Sequence, residues 1–258
     1  MRERYCYWSV AHGPDVDMMQ GLVDSARAVG VFKDFHVWTE RLIEGAVCHA
    51  HRRRNARGSL FRLRLLQREV HKLNYDYFVW LDPDTYFVRP PGKVLRVLQG
   101  SPVHASLESD ASSTRNVPSD WCGCSLTNYT TLMRFCGVRS RAIFTVDGGF
   151  WVVHHDVIGT FCELAWDFWD ICKRAGYGFP LEPPLAYATH MLCGNPYAHA
   201  LKKAGDLWAP DRTGCFARAL PNGKEWKCVD RLTGEAFRVN PAIIHLMHSS
   251  GGPDHRDG

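Results

Sequence analysis

One short segment constrains this sequence more than any other, a largely apolar run, Tyr77–Leu81, that ends at Asp82-Pro83-Asp84. A strand of this kind is typical of the centre of a parallel sheet, where both faces are buried. Open α/β sheets bind their ligands at the carboxyl ends of such strands. In extended backbone, residues two apart project to the same side, and Pro83 biases Asp82 toward that conformation. The pattern therefore predicts two carboxylates that converge on one point outside the sheet edge.

Two like charges at short range repel each other unless a cation lies between them. Oxygen ligands favour Mg²⁺ or Mn²⁺, and both ions keep coordination positions open for the phosphate oxygens of a substrate. The pair Asp82 and Asp84 thus predicts a divalent metal site. The alternative is a proline-containing turn with two solvated aspartates.

The flanking segments predict an α/β fold. A strand at Tyr5–Val10 is followed by a helix that Pro14 opens and Gly30 ends, and then by a strand at Phe35–Trp38. This βαβ order indicates a parallel sheet. The length of 258 residues suits one domain, and no repeat or linker divides the chain. The remaining predictions are a helix from Gly58, a short helix at Val94–Leu98, strands at Val103–Leu107, Ile143–Val146, Phe150–Val153 and Ala242–Ile244, a surface loop at Glu108–Asp120, and helices at about Val157–Ala175 and from Glu182.

Positive charge is concentrated in one block. The whole chain has 31 Lys+Arg against 27 Asp+Glu, but the segment His51–Lys72 has seven arginines and one lysine against Glu69 alone. Such a block indicates an anionic partner, such as a diphosphate, an acidic lipid surface or nucleic acid. A solvated helix face is the plainer interpretation. One alternative function is therefore a nucleic-acid or acidic-membrane binding module built on Arg52–Arg68.

Cysteine usage and the N-terminal segment lead to an expected compartment. The first residues are too polar for the apolar region of a signal peptide, and no apolar run approaches the roughly 18 residues that span a bilayer. We therefore expect a cytoplasmic protein with reduced cysteines, in which the basic block can contact a membrane surface. Cys122 and Cys124 could form a zinc site with Cys136, His154 or His155, as an alternative to reduced core thiols.

Four motifs, in this order and spacing, resemble those of the metal-dependent nucleotide-sugar glycosyltransferases of the GT-A fold, in particular the glycogenin-like family. The segment Phe78–Phe87 resembles their DxD strand end, and the helix bearing Arg62 resembles the basic helix that precedes it. The segment Val146–Phe150 resembles the stretch that lines the sugar pocket, with Asp147 where asparagine is usual. The segment Ile243–Leu246 resembles the strand end whose histidine completes the metal site.

The resemblance covers roughly Tyr5 to Ser249. It implies a single GT-A domain over residues 1–258, with a Rossmann-like, mixed but mostly parallel sheet flanked by helices. The nucleotide-binding half would cover about residues 1–107 and the acceptor half about 108–258. The implied activity is transfer of a sugar from a nucleotide-diphosphate sugar, UDP-linked, to an acceptor hydroxyl with the aid of Mn²⁺ or Mg²⁺. The acceptor would be a glycan, a lipid-linked sugar, a protein or a small molecule, and no nucleic-acid partner is expected.

The resemblance also implies roles for the metal-binding and nucleotide-binding residues. Asp84 would bind the metal, and Asp82 the metal or the ribose. His245 would be the third ligand, with His248 as its competitor, and a histidine among carboxylates favours Mn²⁺. The remaining nucleotide contacts would be Val10, Ala11 and His12 for the base and ribose, and Arg62 for the diphosphate, with Arg57 and Arg68 as alternatives.

On the sugar side, the resemblance places Asp147, Gly148 and Gly149 against the sugar hydroxyls. Glu182 would face the reactive carbon, although a charge that stabilises the start of a helix is an equal interpretation. If the reaction inverts the anomeric carbon, Glu182 or Asp147 would be the base. A nucleotidyltransferase of similar fold is a further alternative, but it would need a glycine-rich loop with a cation after the first strand. The segment His12–Asp15 has one glycine and no lysine or arginine.

Overall fold

A six-stranded sheet is the centre of this computed structural model. The structure describes residues 4–52, 60–91, 101–112, 120–122, 124–177, 181–193, 208–210, 216–219, 226–229, 236–239 and 242–245. The strands of the described residues are β1 (Tyr5–Ala11), β2 (Phe35–Thr39), β3 (Val47–Ala50), β4 (Tyr77–Leu81), β5 (Thr85–Phe87), β6 (Val103–Asp110), β7 (Asp120–Trp121), β8 (Cys124–Ser125), β9 (Phe144–His154), β10 (Trp208–Pro210), β11 (Phe216–Ala219), β12 (Trp226–Val229), β13 (Ala236–Val239) and β14 (Ile243–His245). The helices are α1 (Asp15–Ala28), α2 (Phe61–Arg68), α3 (Leu126–Phe135), α4 (Ile158–Arg174) and α5 (Glu182–Cys193), with short 3₁₀ turns at Val70–Lys72 and His155–Val157.

The main sheet has the strand order β3-β2-β1-β4-β9-β6. The pairs β1–β2, β2–β3 and β1–β4 are parallel, whereas β9 runs antiparallel to both of its neighbours, β4 and β6. The predicted α/β class, with a mixed and mostly parallel sheet flanked by helices, is therefore confirmed. Among the described residues, no helix combines the length and the apolar character needed to cross a bilayer.

Alternation along β4 divides the core into two layers. Phe78 and Trp80 point to one face of the sheet, where they pack with apolar residues of α2, α4 and α5. Tyr77, Val79 and Leu81 point to the other face, which α1 covers. All five side chains of β4 are buried, which agrees with the central position that its apolar sequence predicts.

A row of three tryptophans crosses the first of these layers. In the strand registers, Trp8 of β1 lies opposite Trp80 of β4, which lies opposite Trp151 of β9. The rings of Trp8 and Trp80 are edge to face with centroids 4.6 Å apart, and those of Trp80 and Trp151 are stacked at 5.9 Å. Because large buried rings dominate core energetics, this row makes the centre of the sheet a rigid support for the strand ends above it.

Two predictions about the second half of the chain are wrong. The segments expected as separate strands on either side of Asp147-Gly148-Gly149 form one continuous strand, β9. Its pairing with β6 is irregular at that point, because Ala105 lies opposite Trp151 while the next residue, Ser106, lies opposite Asp147. Glycines tolerate such a bulge, since they have no side chain to place there. The strand β6 also extends to Asp110, so the beginning of the predicted loop Glu108–Asp120 belongs to the sheet.

Several elements had no counterpart in the sequence-based prediction, namely β3, β5, β7, β8, α3 and the strands β10–β13. The expected helix at Val94–Leu98 lies outside the described residues. Of the missed elements, β5 matters most for the site. It pairs antiparallel with β14, which pairs parallel with β10, and this small sheet places His245 opposite Thr85.

Candidate functional site

The carboxylates of Asp82 and Asp84 converge because the chain turns between them. The carbonyl oxygen of Asp82 accepts hydrogen bonds from the backbone N–H of Thr85 (3.2 Å) and from its hydroxyl (2.8 Å). This is a β-turn with Pro83 at its second position, where the fixed φ of proline is favourable. The expected convergence is therefore present, but the extended backbone predicted to cause it is not.

His245 completes a group of three potential metal ligands. Its Nε2 lies 3.0 Å from Asp84 Oδ1 and 3.9 Å from Asp82 Oδ2. One ligand atom from each of Asp82, Asp84 and His245 lies within 4.8 Å of the other two, and the described residues contain no second group of this kind. Two carboxylates and an imidazole are a donor set that suits Mn²⁺, and Mg²⁺ less well. The competing candidate, His248, lies outside the described residues.

The surrounding acids determine the charge on His245. Its side chain is 6% exposed. Burial alone would lower the pKa of His245, but the hydrogen bond to Asp84 and the negative charges of Asp147, Asp82 and Asp84 raise it to about 9. Without a cation in the site, the imidazole is therefore protonated at neutral pH and offsets part of the negative charge. A bound metal ion would replace that proton, since only the neutral imidazole can be a ligand.

Arg62 lies beside the same carboxylates. Its Nη1 is 3.0 Å from Asp82 Oδ1, and its guanidinium lies over the ring of Trp80 with 4.5 Å to the centroid. The indole N–H of Trp80 donates to the same Asp82 oxygen at 2.9 Å. Of the described arginines in the basic block, Arg62 is thus the one beside these carboxylates, whereas its assignment to a diphosphate stays a prediction. Trp80 was not predicted as a site residue, although its position two residues before Asp82 on a strand was a usable signal.

The two glycines of β9 lie against other members of the site. A Cβ on Gly149 would be 2.6 Å from Cε1 and 2.8 Å from Nδ1 of His245, so glycine permits the close approach of that ring. A Cβ on Gly148 would be 3.0 Å from Oε1 of Glu182. The backbone also joins the site together, because the N–H of Asp82 donates to the carbonyl of Gly149 at 3.0 Å. The predicted contact of both glycines with a sugar stays a prediction.

Asp147 and Glu182, the two predicted catalytic acids, differ in their surroundings. Asp147 is buried, its Oδ1 accepts the N–H of Gly149 at 2.7 Å, and the same oxygen lies 3.7 Å from Nδ1 of His245. Asp147 therefore acts on the histidine through its negative charge, at a distance longer than a hydrogen bond. Glu182 is the half-buried first residue of α5.

The pKa of Glu182 is raised, principally by burial and further by the charges of Asp147 and Asp82, against the lowering effects of a backbone hydrogen bond and of Arg62. The thiol of Cys122 lies 3.8 Å from its Oε2. A carboxyl group with a raised pKa at the start of a helix beside the other acids of the site is a candidate for proton transfer.

The residues expected around the base and ribose lie at the end of β1 and directly after it. Val10, Ala11 and His12 are all buried, and Nε2 of His12 lies 3.0 Å from Nδ1 of His51. Directly after them, Asp15 opens α1, and its pKa is raised by burial of its carboxyl group and by the charges of Asp82 and Asp84. Asp15 was missed as a site residue, and its position just after the end of β1 was the available signal.

The other candidates from the sequence are dispersed. In the basic block, residues 53–59, including Arg57, lie outside the described residues. Arg68 is exposed, and the guanidinium of Arg64 stacks on Trp166, 5.1 Å from its centroid. Within the described part of the chain, the zinc ligands considered at Cys122, Cys136, His154 and His155 do not assemble into a metal-binding group.

No protein-family model matches the chain, and no curated protein matches it. The site is therefore interpreted from its own geometry and chemistry.

Proposed function

We propose that the protein is a metal-dependent glycosyltransferase of the GT-A type, which transfers a sugar from a nucleotide-diphosphate sugar, UDP-linked, to an acceptor hydroxyl. The observation that carries the proposal is the meeting of Asp82, Asp84 and His245 at the carboxyl end of the central strand β4, with Arg62 beside them. That edge of an open α/β sheet is where ligands bind. The four motifs that resemble this family supply the reaction type.

The charge of the site supports an anionic ligand bound together with a cation. Burial raises the pKa values of Asp15 and Glu182, and nearby carboxylates raise them further, those of Asp82 and Asp84 for Asp15 and those of Asp147 and Asp82 for Glu182. Among the described side chains, Arg62 is the arginine that contacts this group directly, and it lowers both of those pKa values. Only Nη1 of Arg62 contacts Asp82. Its remaining N–H donors are available to phosphate oxygens.

The chemistry assigned to the site is cleavage of the bond between the anomeric carbon and the nucleoside diphosphate. A divalent ion held by Asp82, Asp84 and His245 would supply Lewis-acid stabilisation of the negative charge on the departing phosphate. Arg62 would stabilise the same charge electrostatically. As the resemblance implies, Glu182 would face the reacting sugar carbon, and its carboxylate could take the proton of the acceptor hydroxyl in an inverting reaction. In a retaining reaction the leaving phosphate takes that proton instead.

A thermal-shift panel tests the donor class. The protein is melted with UDP, GDP, CDP or ADP, each in the presence of Mn²⁺, Mg²⁺ or EDTA. A specific nucleotide at a hundred times its dissociation constant adds about 2.7 kcal/mol to the free energy of unfolding. We expect one nucleotide to raise the melting temperature with metal and not with EDTA. A panel without any nucleotide response would contradict the proposal.

The variant Asp84→Asn tests the metal assignment within the same assay. It keeps an oxygen that can accept the hydrogen bond from His245 but removes the negative charge, so the protein should fold while the metal-dependent nucleotide shift is lost. Asp170→Asn on the exposed surface of α4 is the matched control with the same change of charge, and it should respond as the wild type does. An Asp84→Asn protein that binds UDP with Mn²⁺ as tightly as the wild type would remove Asp84 from the metal site.

A further inference from the structure

We infer that Trp80 is the positioning residue that sets Asp82 for cation binding, through its indole N–H on one side and through Arg62 on its ring face. The inference rests on the metal site of the proposed function. It adds a residue that the sequence did not single out and that lies in the core, since the side chain of Trp80 is 1% exposed.

The two oxygens of Asp82 have different partners. Oδ1 accepts a hydrogen bond from Trp80 Nε1 at 2.9 Å and an ion-paired contact from Arg62 Nη1 at 3.0 Å. Oδ2 faces Nε2 of His245 at 3.9 Å. The hydrogen bond and the ion pair on Oδ1 hold the orientation of the carboxylate, and Oδ2 is left to face His245. The two oxygens thus have different roles: Oδ1 is held by Trp80 and Arg62, whereas Oδ2 faces the position that a cation would take.

Trp80 acts on Arg62 as well as on Asp82. The guanidinium lies 4.5 Å from the centroid of the indole ring, which is within the range of a cation–π contact. The same side chain therefore holds both members of the Arg62–Asp82 pair in place. The indole cannot turn away, because Trp8 and Trp151 pack against it from the neighbouring strands. A rigid donor buried in the sheet is a means of keeping a carboxylate preorganised next to other negative charges.

The row of tryptophans supplies a matched control. Trp8 is also 1% exposed and contacts the same rings, but among the described residues its indole N–H has no acceptor. Trp80→Phe and Trp8→Phe therefore remove the same atoms from the same layer. Only the first removes the donor to Asp82 and reduces the ring under Arg62, so a difference between the two variants reports the contacts of Trp80 with that pair and not the loss of ring volume.

The experiment measures Mn²⁺ affinity, by titration calorimetry or by counting free Mn²⁺ in electron paramagnetic resonance, together with the melting temperature in EDTA. Loss of a group that supports a metal ligand typically weakens binding about 10–100-fold, and we expect that loss for Trp80→Phe while Trp8→Phe stays within about threefold of the wild type. In EDTA, Trp80→Phe should have the lower melting temperature, because only that variant loses a hydrogen bond to a carboxylate. Equal Mn²⁺ affinities in the two variants would overturn the inference.

The outcomes separate this inference from the proposed function. If the wild type binds Mn²⁺ but no nucleotide, the glycosyltransferase proposal fails and the role of Trp80 is still decided by the two variants. If the wild type binds no Mn²⁺, the glycosyltransferase proposal and the role of Trp80 are both overturned.

A second measurement covers the case in which Trp80→Phe does not fold. In ¹⁵N-tryptophan-labelled wild-type protein, the indole N–H resonance that shifts most on addition of Mg²⁺ should be the one that is displaced in Asp82→Ala. If different resonances respond to these two changes, Trp80 does not link Asp82 to the cation and the inference is overturned.

Discussion

Replacement of Gly149 by alanine should abolish Mn²⁺ binding while it lowers the stability of the fold only moderately. The new Cβ would lie 2.6 Å from Cε1 and 2.8 Å from Nδ1 of His245, and 2.9 Å from Oδ1 of Asp147. Carbon atoms pack at about 3.5–4.0 Å, so the imidazole ring has to retreat by roughly 1 Å. Gly149 does not have a positive φ, and the effect is therefore steric.

Displacement of the imidazole ring should lower both the free energy of unfolding and the affinity for Mn²⁺. His245 is 5% exposed, so the ring cannot move into solvent without disturbing the surrounding core. Its 3.0 Å hydrogen bond to Asp84 would stretch beyond hydrogen-bonding distance. Overpacking of this kind reduces the free energy of unfolding by about 1–3 kcal/mol, which corresponds to a fall of roughly 2–12 °C in melting temperature for a chain of this size. Mn²⁺ binding should be lost at the same time, because the third ligand is displaced.

Gly148→Ala is the matched control. Its Cβ would meet Oε1 of Glu182 at 3.0 Å, and that atom is the far end of a flexible, half-buried side chain. We expect a smaller fall in melting temperature and unchanged Mn²⁺ affinity, measured by differential scanning fluorimetry and titration calorimetry. If Gly149→Ala melted and bound Mn²⁺ as the wild type does, the close packing of His245 on Gly149 would be refuted.

Two further predictions concern the charged groups of the site. Glu182→Gln should abolish turnover while the affinity for the nucleotide donor is kept, because the variant retains the shape of the side chain and loses its proton-accepting carboxylate; unchanged turnover in a sugar-transfer assay would exclude Glu182 from the reaction. In EDTA, His245 should stabilise the fold most below its unfolded pKa of about 6.5, and this contribution, at most about 3 kcal/mol, should be lost as the pH rises through the folded pKa of about 9. His245→Gln should therefore flatten the decline of the melting temperature between pH 6.5 and 9, and parallel curves for variant and wild type would show that His245 is not charged in the folded protein.

Much of the fold could be predicted because its signals are local. The apolar run of β4 was predicted with the bounds that the structure has, and the helices α1 and α4 were predicted to within one or two residues. Most of the missed elements are short strands whose sequences carry no such period, whereas α3 has a helical period at Leu126, Tyr129 and Met133 that the prediction overlooked. Strand β9 continues through Asp147-Gly148-Gly149 because its neighbours pair with it on both sides, and glycines inside a run suggest a break when they are considered alone.

The sequence by itself determined the two carboxylates, since their spacing and the proline between them are properties of three adjacent residues. Only the tertiary structure decided what surrounds them. The register between β5 and β14 brings His245 next to Asp84, and the packing of α2 on the sheet places Arg62, among the described arginines of the basic block, beside Asp82. The hydrogen bond from Trp80 to Asp82 and the contact of Gly149 with His245 were likewise decided by the tertiary structure. Contacts of this kind depend on distances between side chains from separate strands and helices, and those distances are defined only when the sheet and its flanking layers have assembled.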